Sequence, residues 1–247
     1  TVNDLKSYQA KKREPVCTTY RASYYVCTMS PPSSGGIAIA QSLGILENFD
    51  LSQYGPTNPS NEGGVPSVMG VHLVSEAQRL AYADRDKYVA DTDFIPLPGK
   101  GVSTMLDKSY LKQRAALIQP DGKSLGVVSA GALGDVPLGV DKTVEYGTTH
   151  FSIVDAYGNV VSMTSTVESS MGSFHMVGGF LLTNQLTDFS AQPADGAGVP
   201  IAHRVAPGKR PRSTMAPTLV FKGTEPGDFV MATGSPGGGT IIQYVLK

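Results

Sequence analysis

The composition of this 247-residue chain excludes several classes of protein before any motif is considered. Its 20 Lys and Arg residues nearly balance its 21 Asp and Glu residues, for a formal net charge of −1 at pH 7. Such a balance gives no indication of binding to nucleic acid or to an anionic membrane. There is no apolar run of about 18 residues, as a membrane-spanning helix needs, and no signal-peptide pattern. The length is enough for one sizeable core or two small ones.

The predicted elements run from helices in the first half of the chain to strands in the second. After a β-hairpin within residues 1–30, apolar residues at helical spacing predict three helices, separated by turn-rich segments such as residues 52–65. These helices carry Ile37 to Leu46, Val71 to Ala81, and Thr104 to Ile118. Alternating apolar residues predict strands at 149–155, 160–167, 178–183, 217–222 and 228–233. This order favours an α+β fold in which helices cover sheets.

Two cysteines, Cys17 and Cys27, lie in the stretch that predicts the first hairpin. If this stretch folds back near Ala22, the two thiols face each other within reach of a disulfide. The spacing leaves two possibilities open, a disulfide or two unpaired strand cysteines. A disulfide would imply an oxidising compartment. The two cysteines and four scattered histidines show no ligand spacing, so we expect neither a metal site nor a catalytic cysteine.

The run GTTHFSIVD at residues 147–155 begins a second predicted hairpin and is the most informative feature of the sequence. A three-residue loop at residues 156–158 would join its strands, with Gly158 in the left-handed conformation. That register sets Thr148 opposite Thr166, so that two hydroxyls share one face. A register shifted by one residue would send Thr166 to the other face.

Four motifs in this order carry a family resemblance: TTHFSIVDAYGNVVSMTSTVE, GFLLTNQLTDFS, KRPRSTMAPT and TGSPGG. Together with the upstream stretches MSPPSSGGIAIAQSLGILENFDL and AQRLAYADRDKYVAD, they resemble the γ-glutamyltransferase (γ-glutamyltranspeptidase) family of N-terminal-nucleophile hydrolases. The resemblance covers nearly the whole chain. It implies the αββα sandwich of those hydrolases, here incomplete because family members extend beyond this chain on both sides.

The resemblance also implies a division at the Gly147–Thr148 bond. Residues 1–147 would be the C-terminal part of a large subunit, and residues 148–247 the N-terminal part of a small, catalytic subunit. Self-cleavage would produce the two subunits, which stay together as a heterodimer. Family members are periplasmic or secreted, and the same location is expected here.

The family's nucleophile is the threonine that cleavage exposes, which corresponds to Thr148. A threonine hydroxyl needs an adjacent base, and an N-terminal threonine supplies its own amine, with a pKa of about 7.7–8. Before cleavage, the Thr148 hydroxyl would attack the Gly147 carbonyl, and a residue without Cβ tolerates the strained backbone of such a junction. Thr166 would hold the Thr148 amine or hydroxyl in position. Amine, hydroxyl and oxyanion donors fill every role, so no cofactor is expected.

Further residues match the family's substrate-binding positions. Gln185 and Asp188 match residues that bind the α-amino group of the γ-glutamyl moiety, and a buried ammonium needs such acceptors. Glu168 stands where the best-known γ-glutamyl transferases carry asparagine, and acidic residues there also resemble relatives that process poly-γ-glutamate capsules.

Two more motifs complete the predicted site. Ser213 and Thr214 match hydroxyls that bind the substrate carboxylate, while the neighbouring Arg212 replaces an apolar residue for a reason that the sequence does not give. Gly237 and Gly238 are expected to donate their amides to the oxyanion; no Gly-Lys-Ser/Thr follows, which argues against a nucleotide-binding loop.

The predicted reaction is γ-glutamyl transfer from glutathione or other γ-glutamyl amides to water or an amino acid. The lid region at residues 190–208 has no aromatic residue, so we expect hydrolysis to rival transfer. Three alternatives remain on the same fold: a capsule poly-γ-glutamate transpeptidase or depolymerase, a cephalosporin or glutaryl acylase, and an uncleaved, inactive scaffold.

Overall fold

The structure is a computed structural model that describes residues 1–60 and 63–247. Its helices are α1 (Val2–Ser7), α2 (Gly35–Leu46), α3 (Val68–Tyr88), α4 (Val102–Met105), α5 (Lys108–Ala115) and α6 (Ile241–Leu246). Its strands are β1 (Val16–Tyr20), β2 (Tyr24–Thr28), β3 (Thr149–Val154), β4 (Val160–Ser165), β5 (Met176–Val177), β6 (Phe180–Leu181), β7 (Thr218–Lys222) and β8 (Phe229–Thr233). The predicted loop at 52–65 contains a short 3₁₀ turn at Leu51–Tyr54, and its residues 61 and 62 lie outside the described residues.

The main sheet is antiparallel and has the strand order β1-β2-β7-β8. Strand β2 pairs with β7 from Tyr24 opposite Lys222 to Thr28 opposite Thr218. The two strands come from opposite sides of the Gly147–Thr148 bond. The predicted subunits therefore contribute to one continuous sheet, and main-chain hydrogen bonds would still join them after cleavage.

The hairpin of β1 and β2 is closed by a disulfide. Cys17 pairs with Cys27 in the register and is bonded to it, with a Cα–Cα distance of 4.1 Å. The turn lies at Arg21 and Ala22, both of which have positive φ. The predicted reversal near Ala22 is confirmed, and of the two possibilities left by the sequence the structure contains the disulfide.

Helix α2 is the centre of the core. Nearly all of it is buried, and it packs against α3, α5 and α6 as well as strand β1. The chain just before it also fixes a later segment, since the Ser34 amide and hydroxyl both donate to the Ser213 carbonyl, at 2.8 and 2.7 Å. The helical core thereby holds one wall of the predicted site.

Two predicted elements are divided in the structure. The helix expected over Thr104 to Ile118 is interrupted, because Asp107 leaves the helical conformation and its carboxylate caps α5 by accepting from the Tyr110 amide at 3.0 Å. The strand expected at 178–183 is instead the hairpin of β5 and β6, which turns at two glycines with positive φ. The remaining strands agree with the prediction to within about two residues.

The hairpin of β3 and β4 has the predicted register. Thr149 pairs with Ser165 and Val154 with Val160, and Gly158 in the loop has a φ of +84°. The hairpin lies against β8, where the Ser162 hydroxyl donates to the Thr233 carbonyl at 3.0 Å. The fold is thus mixed α and β, as expected, with the described strands in one four-stranded and two two-stranded sheets.

Candidate functional site

The Gly147–Thr148 junction lies immediately before β3, at the open end of the hairpin. Because Thr149 pairs with Ser165, the next positions outward, Thr148 and Thr166, face each other. The Thr166 hydroxyl donates to the Gly147 carbonyl oxygen at 3.1 Å, and the Thr148 hydroxyl contacts the same oxygen. Both threonine hydroxyls therefore lie at the Gly147 carbonyl oxygen, and Thr166 contacts that oxygen rather than an atom of Thr148.

Only glycine fits at position 147. Its φ is +55°, and a Cβ atom built there would lie 1.4 Å from the Glu168 carbonyl oxygen. A side chain would therefore both strain the backbone and overlap the main chain at Glu168. The close approach brings the Gly147 carbonyl within reach of Thr166.

A small cavity brings most of the predicted site residues together. Its volume is about 10 Å³, which is on the order of one water molecule. The predicted residues in its wall are Thr148, Thr166, Gln185, Asp188, Ser213 and Thr214. Glu145, Tyr146 and Gly147, which precede the junction, form another part of the wall. In the uncleaved chain these three residues occupy the space beside the hydroxyl groups.

Asp188 is the most perturbed carboxyl group of the site. Burial raises its pKa to about 7, and the nearby carboxylates of Glu145 and Glu168 add to the effect. The Gln185 side-chain amide donates to one carboxylate oxygen, Oδ2. The other oxygen, Oδ1, is buried and has no hydrogen-bond partner among the described residues. An unpaired buried acceptor of this kind suits a cationic ligand group.

Glu168 lies behind the cavity. It is buried, with a φ of +72°, and its carboxylate accepts from the Ser169 hydroxyl at 2.7 Å. Its amide donates to the Thr166 hydroxyl at 2.7 Å. The structure therefore gives Glu168 contacts that support Thr166 and influence Asp188, while its side chain is absent from the described lining of the cavity.

Of the two predicted oxyanion glycines, Gly238 lies against the residues before the junction, where a built Cβ atom would meet the Glu145 carbonyl. The Thr214 hydroxyl donates to the Gly238 carbonyl at 2.5 Å, and the Gly239 amide donates to the Glu145 carbonyl at 3.2 Å. Gly237 and Gly238 do not appear in the cavity wall. Their role as amide donors stays a prediction, because the hydrogen bonds to the Gly147 oxygen that the structure describes come from hydroxyls.

Beneath the site lies a group of buried charges that the sequence did not explain. Arg212 is 1% exposed; it contacts Asp141 at 2.9 Å and Glu145 at 3.4 Å. Arg85, from α3, contacts the same oxygen of Glu145. Nearby, burial and then the charge of Arg212 lower the pKa of His203 to about 3. These residues are far apart in sequence, so no local pattern could have grouped them.

Within the described residues, no cluster of His, Cys, Asp or Glu has an arrangement that could hold a metal ion. None of the helices in that part of the chain is long and apolar enough to cross a membrane.

A sequence profile of the family described as gamma-glutamyltranspeptidase matches residues 1–247. The chain therefore belongs to an enzyme family, the γ-glutamyltranspeptidase family.

Curated relatives agree with this assignment. The chain is 40% identical to the glutathione hydrolase proenzyme of Bacillus subtilis strain 168 over 258 aligned residues, and 39% identical to that of Escherichia coli strain K12. Both alignments cover 100% of this chain but 40% of the relative.

Among solved structures, the cephalosporin acylase from Bacillus halodurans superposes with a TM-score of 0.68 at 23% identity. The match covers 98% of this chain and 38% of the acylase chain, and it shows a shared fold.

Proposed function

We propose that this chain carries the cleavage site and much of the catalytic site of a γ-glutamyltransferase that also hydrolyses glutathione. The observation that carries the proposal is the contact between the Thr148 hydroxyl and the Gly147 carbonyl, supported by the Thr166 hydroxyl on the same oxygen. Family membership supports the same reading. Residues 1–147 and 148–247 would become the adjoining parts of the large and small subunits, in a complete αββα sandwich.

Maturation would proceed by an acyl shift at the junction. The Thr148 hydroxyl oxygen attacks the Gly147 carbonyl carbon, and the hydroxyl proton passes to the Thr148 nitrogen as the peptide bond breaks. Thr166 donates to the oxygen on which negative charge develops. Water then hydrolyses the resulting ester, leaving a Gly147 carboxylate, a free Thr148 amine and a free hydroxyl.

Catalysis would reuse the same hydroxyl. The new Thr148 amine accepts the hydroxyl proton, and the hydroxyl oxygen attacks the γ-carbonyl carbon of the substrate. The amine of the leaving group takes up the proton, and a γ-glutamyl ester of Thr148 remains. Water or an amino acid then receives the γ-glutamyl group. In this scheme Gly237 and Gly238 donate amides to the oxyanion, and Ser213 and Thr214 bind the substrate carboxylate.

Asp188 is the residue that we expect to set the substrate preference of the enzyme. Its buried oxygen Oδ1, free of partners among the described residues, would accept from the substrate α-ammonium, next to Gln185. A glutaryl group has the same chain length without that ammonium. We therefore expect γ-glutamyl amides to be preferred to glutaryl amides, and we include poly-γ-glutamate as a competing substrate because an acidic residue at the position of Glu168 resembles relatives that process it.

The test begins with the intact mass of the full protein under denaturing, reducing conditions. Two pieces that separate between Gly147 and Thr148 support the proposal, provided that Thr148→Ala stays whole and Thr148→Ser still cleaves. Cleaved protein is then assayed on γ-glutamyl-p-nitroanilide, glutaryl-p-nitroanilide and poly-γ-glutamate. A protein that is never cleaved, or that prefers the glutaryl compound, contradicts the proposal.

The disulfide between Cys17 and Cys27 supports the expected location of the protein. Such bonds persist in oxidising compartments and are rare in reducing ones. We propose a periplasmic or secreted protein on this basis.

A further inference from the structure

Two buried arginines beneath the junction take no part in the proposed chemistry. Arg212 is 1% exposed and Arg85 is 5% exposed. They approach from different parts of the fold, since Arg85 belongs to α3 and Arg212 precedes β7. Both arginines contact Asp86 of α3, and their other acidic partners, Asp141 and Glu145, lie in the irregular segment 141–147 that ends at the proposed cleavage site.

The ionic contacts converge on Glu145. The Nε and Nη2 atoms of Arg212 each donate to its Oε1 atom at 3.4 Å, and Nη2 of Arg85 contacts the same oxygen. Nη2 of Arg212 also donates to Oδ2 of Asp141 at 2.9 Å. Although burial alone would raise the pKa of Asp141, the Arg212 charge and Thr143 outweigh it, and that pKa is lowered. Asp141 is therefore charged when it binds Arg212.

Backbone hydrogen bonds also hold segment 141–147 at Asp141 and at Glu145. The Asp141 amide donates to the Asp86 carbonyl at 3.0 Å, and the Glu145 carbonyl accepts from the Gly239 amide at 3.2 Å. Glu145 is two residues before Gly147, so the anchored end lies next to the scissile carbonyl. Tyr146, between them, is exposed and contributes little packing. The ionic anchor is thus the nearest side-chain restraint upstream of the carbonyl.

An attack within the chain depends strongly on such restraints. A misplacement of about 1 Å can cost about 100-fold in rate, because the reacting atoms must stay aligned. A buried ion pair adds little to stability by itself, yet loss of one partner leaves an uncompensated buried charge. Removal of Arg212 would therefore leave Asp141 without its arginine partner and would leave Arg85 as the arginine that contacts Glu145.

We propose that Arg212 is a positioning residue for self-cleavage. By binding Asp141 and Glu145, it holds segment 141–147 so that the Gly147 carbonyl stays against the Thr148 hydroxyl. Arg212 touches no reacting atom. The inference rests on the proposed cleavage at this bond and deepens it.

The first test is the rate of cleavage in the full protein, followed by intact mass over time. Arg212→Leu is expected to slow cleavage about tenfold or more. Arg212→Lys keeps the charge but offers a single point of contact. Its cleavage rate should therefore fall between that of the wild type and that of Arg212→Leu. The matched control is Arg114→Leu, which removes another buried arginine. Arg114 is paired with Asp84 at 3.3 Å and has no described contact with segment 141–147.

The control separates positioning from general stability. We expect Arg114→Leu to lower the melting temperature while cleavage stays near the wild-type rate. Equal slowing by Arg114→Leu and Arg212→Leu at equal loss of melting temperature would overturn the proposal. If Arg212→Leu does not accumulate as folded protein, Asp141→Asn removes one charged partner with little change of shape and should slow cleavage in the same direction.

A second measurement does not depend on cleavage. In the uncleavable Thr148→Ala protein, hydrogen exchange of the amides in 141–147 should become about tenfold faster when Arg212→Leu is added, while α2 is unchanged. Unchanged exchange at 141–147 would overturn the anchoring role. Wild-type protein that never cleaves refutes the proposed function and this inference with it, whereas cleavage of Arg212→Leu at the wild-type rate refutes the inference alone.

Discussion

The Thr166 hydroxyl donates to the Gly147 carbonyl oxygen at 3.1 Å, across the open end of the β3–β4 hairpin. The same hydroxyl accepts from the Glu168 amide at 2.7 Å, which fixes its orientation. A donor held in this way polarises the carbonyl group that Thr148 contacts. The hairpin register thus matters for the proposed function because it places this donor opposite the proposed cleavage site.

Replacement of Thr166 tests this donor. Thr166→Val keeps the shape of the side chain without the hydroxyl, and we expect cleavage to slow about 100-fold, the usual effect of losing one oxyanion donor. Thr166→Ser keeps the hydroxyl and should cleave at close to the wild-type rate. Rates come from intact mass over time. Equal rates for the two variants would show that the hydroxyl has no part in cleavage.

Glycine at position 147 is expected to be indispensable. Gly147→Ala should block cleavage and destabilise the protein, because the new Cβ atom would lie 1.4 Å from the Glu168 carbonyl. Gly158→Ala is the matched control, since Gly158 also has positive φ but no atom within 4 Å of a built Cβ. That control should lose roughly 1–2 kcal/mol of stability and still cleave. Thermal unfolding and intact mass are measured together; normal cleavage of Gly147→Ala would contradict the structure.

Asp188 predicts an unusual dependence of stability on pH. Its folded-state pKa is raised to about 7, so the folded protein holds a proton that the unfolded chain releases near pH 4. This group therefore lowers stability as pH rises from about 4 to 7. In the uncleaved Thr148→Ala protein, Asp188→Asn should remove that loss and be the more stable form at pH 8, by about 1 kcal/mol or more.

Urea unfolding of the two proteins at pH 5 and pH 8 provides the measurement. The stability difference in favour of asparagine should grow between these pH values. A difference that is constant, or that favours aspartate at pH 8, would show that burial does not raise the pKa of this carboxyl group.

The disulfide should stabilise the β1–β2 hairpin and the sheet that it begins. Replacement of both Cys17 and Cys27 by alanine is expected to cost about 2–4 kcal/mol in the free energy of unfolding. Reductant should lower the stability of the wild-type protein by a similar amount and leave the double variant unchanged. Identical unfolding curves for oxidised and reduced wild type would contradict this expectation.

Several features were predictable because they depend on residues close together in sequence. The turn at residues 156–158 fixed the β3–β4 register, and the reversal near Ala22 set Cys17 opposite Cys27. The interruption near Asp107 was missed because a local cap competed with an apolar periodicity that continues across it. Ordered motifs were enough to indicate the family, and with it Thr148.

The contacts of the site were decided by tertiary structure. Asp188 acquires its raised pKa from burial next to Glu145 and Glu168, and a local pattern does not specify burial by distant segments. The contacts of Arg212 could not be read from local sequence either. The sequence left its charge unexplained, whereas in the fold Arg212 binds two carboxylates upstream of the junction. The sequence by itself determined the β1–β2 and β3–β4 hairpins, with Cys17 opposite Cys27, and it predicted Thr148 as the nucleophile, because turn geometry and motifs are local. The packing of three distant segments, which contain Arg85, residues 141–147 and Arg212, decided the electrostatics of the site. Ionic and desolvation energies depend on which groups exclude water together.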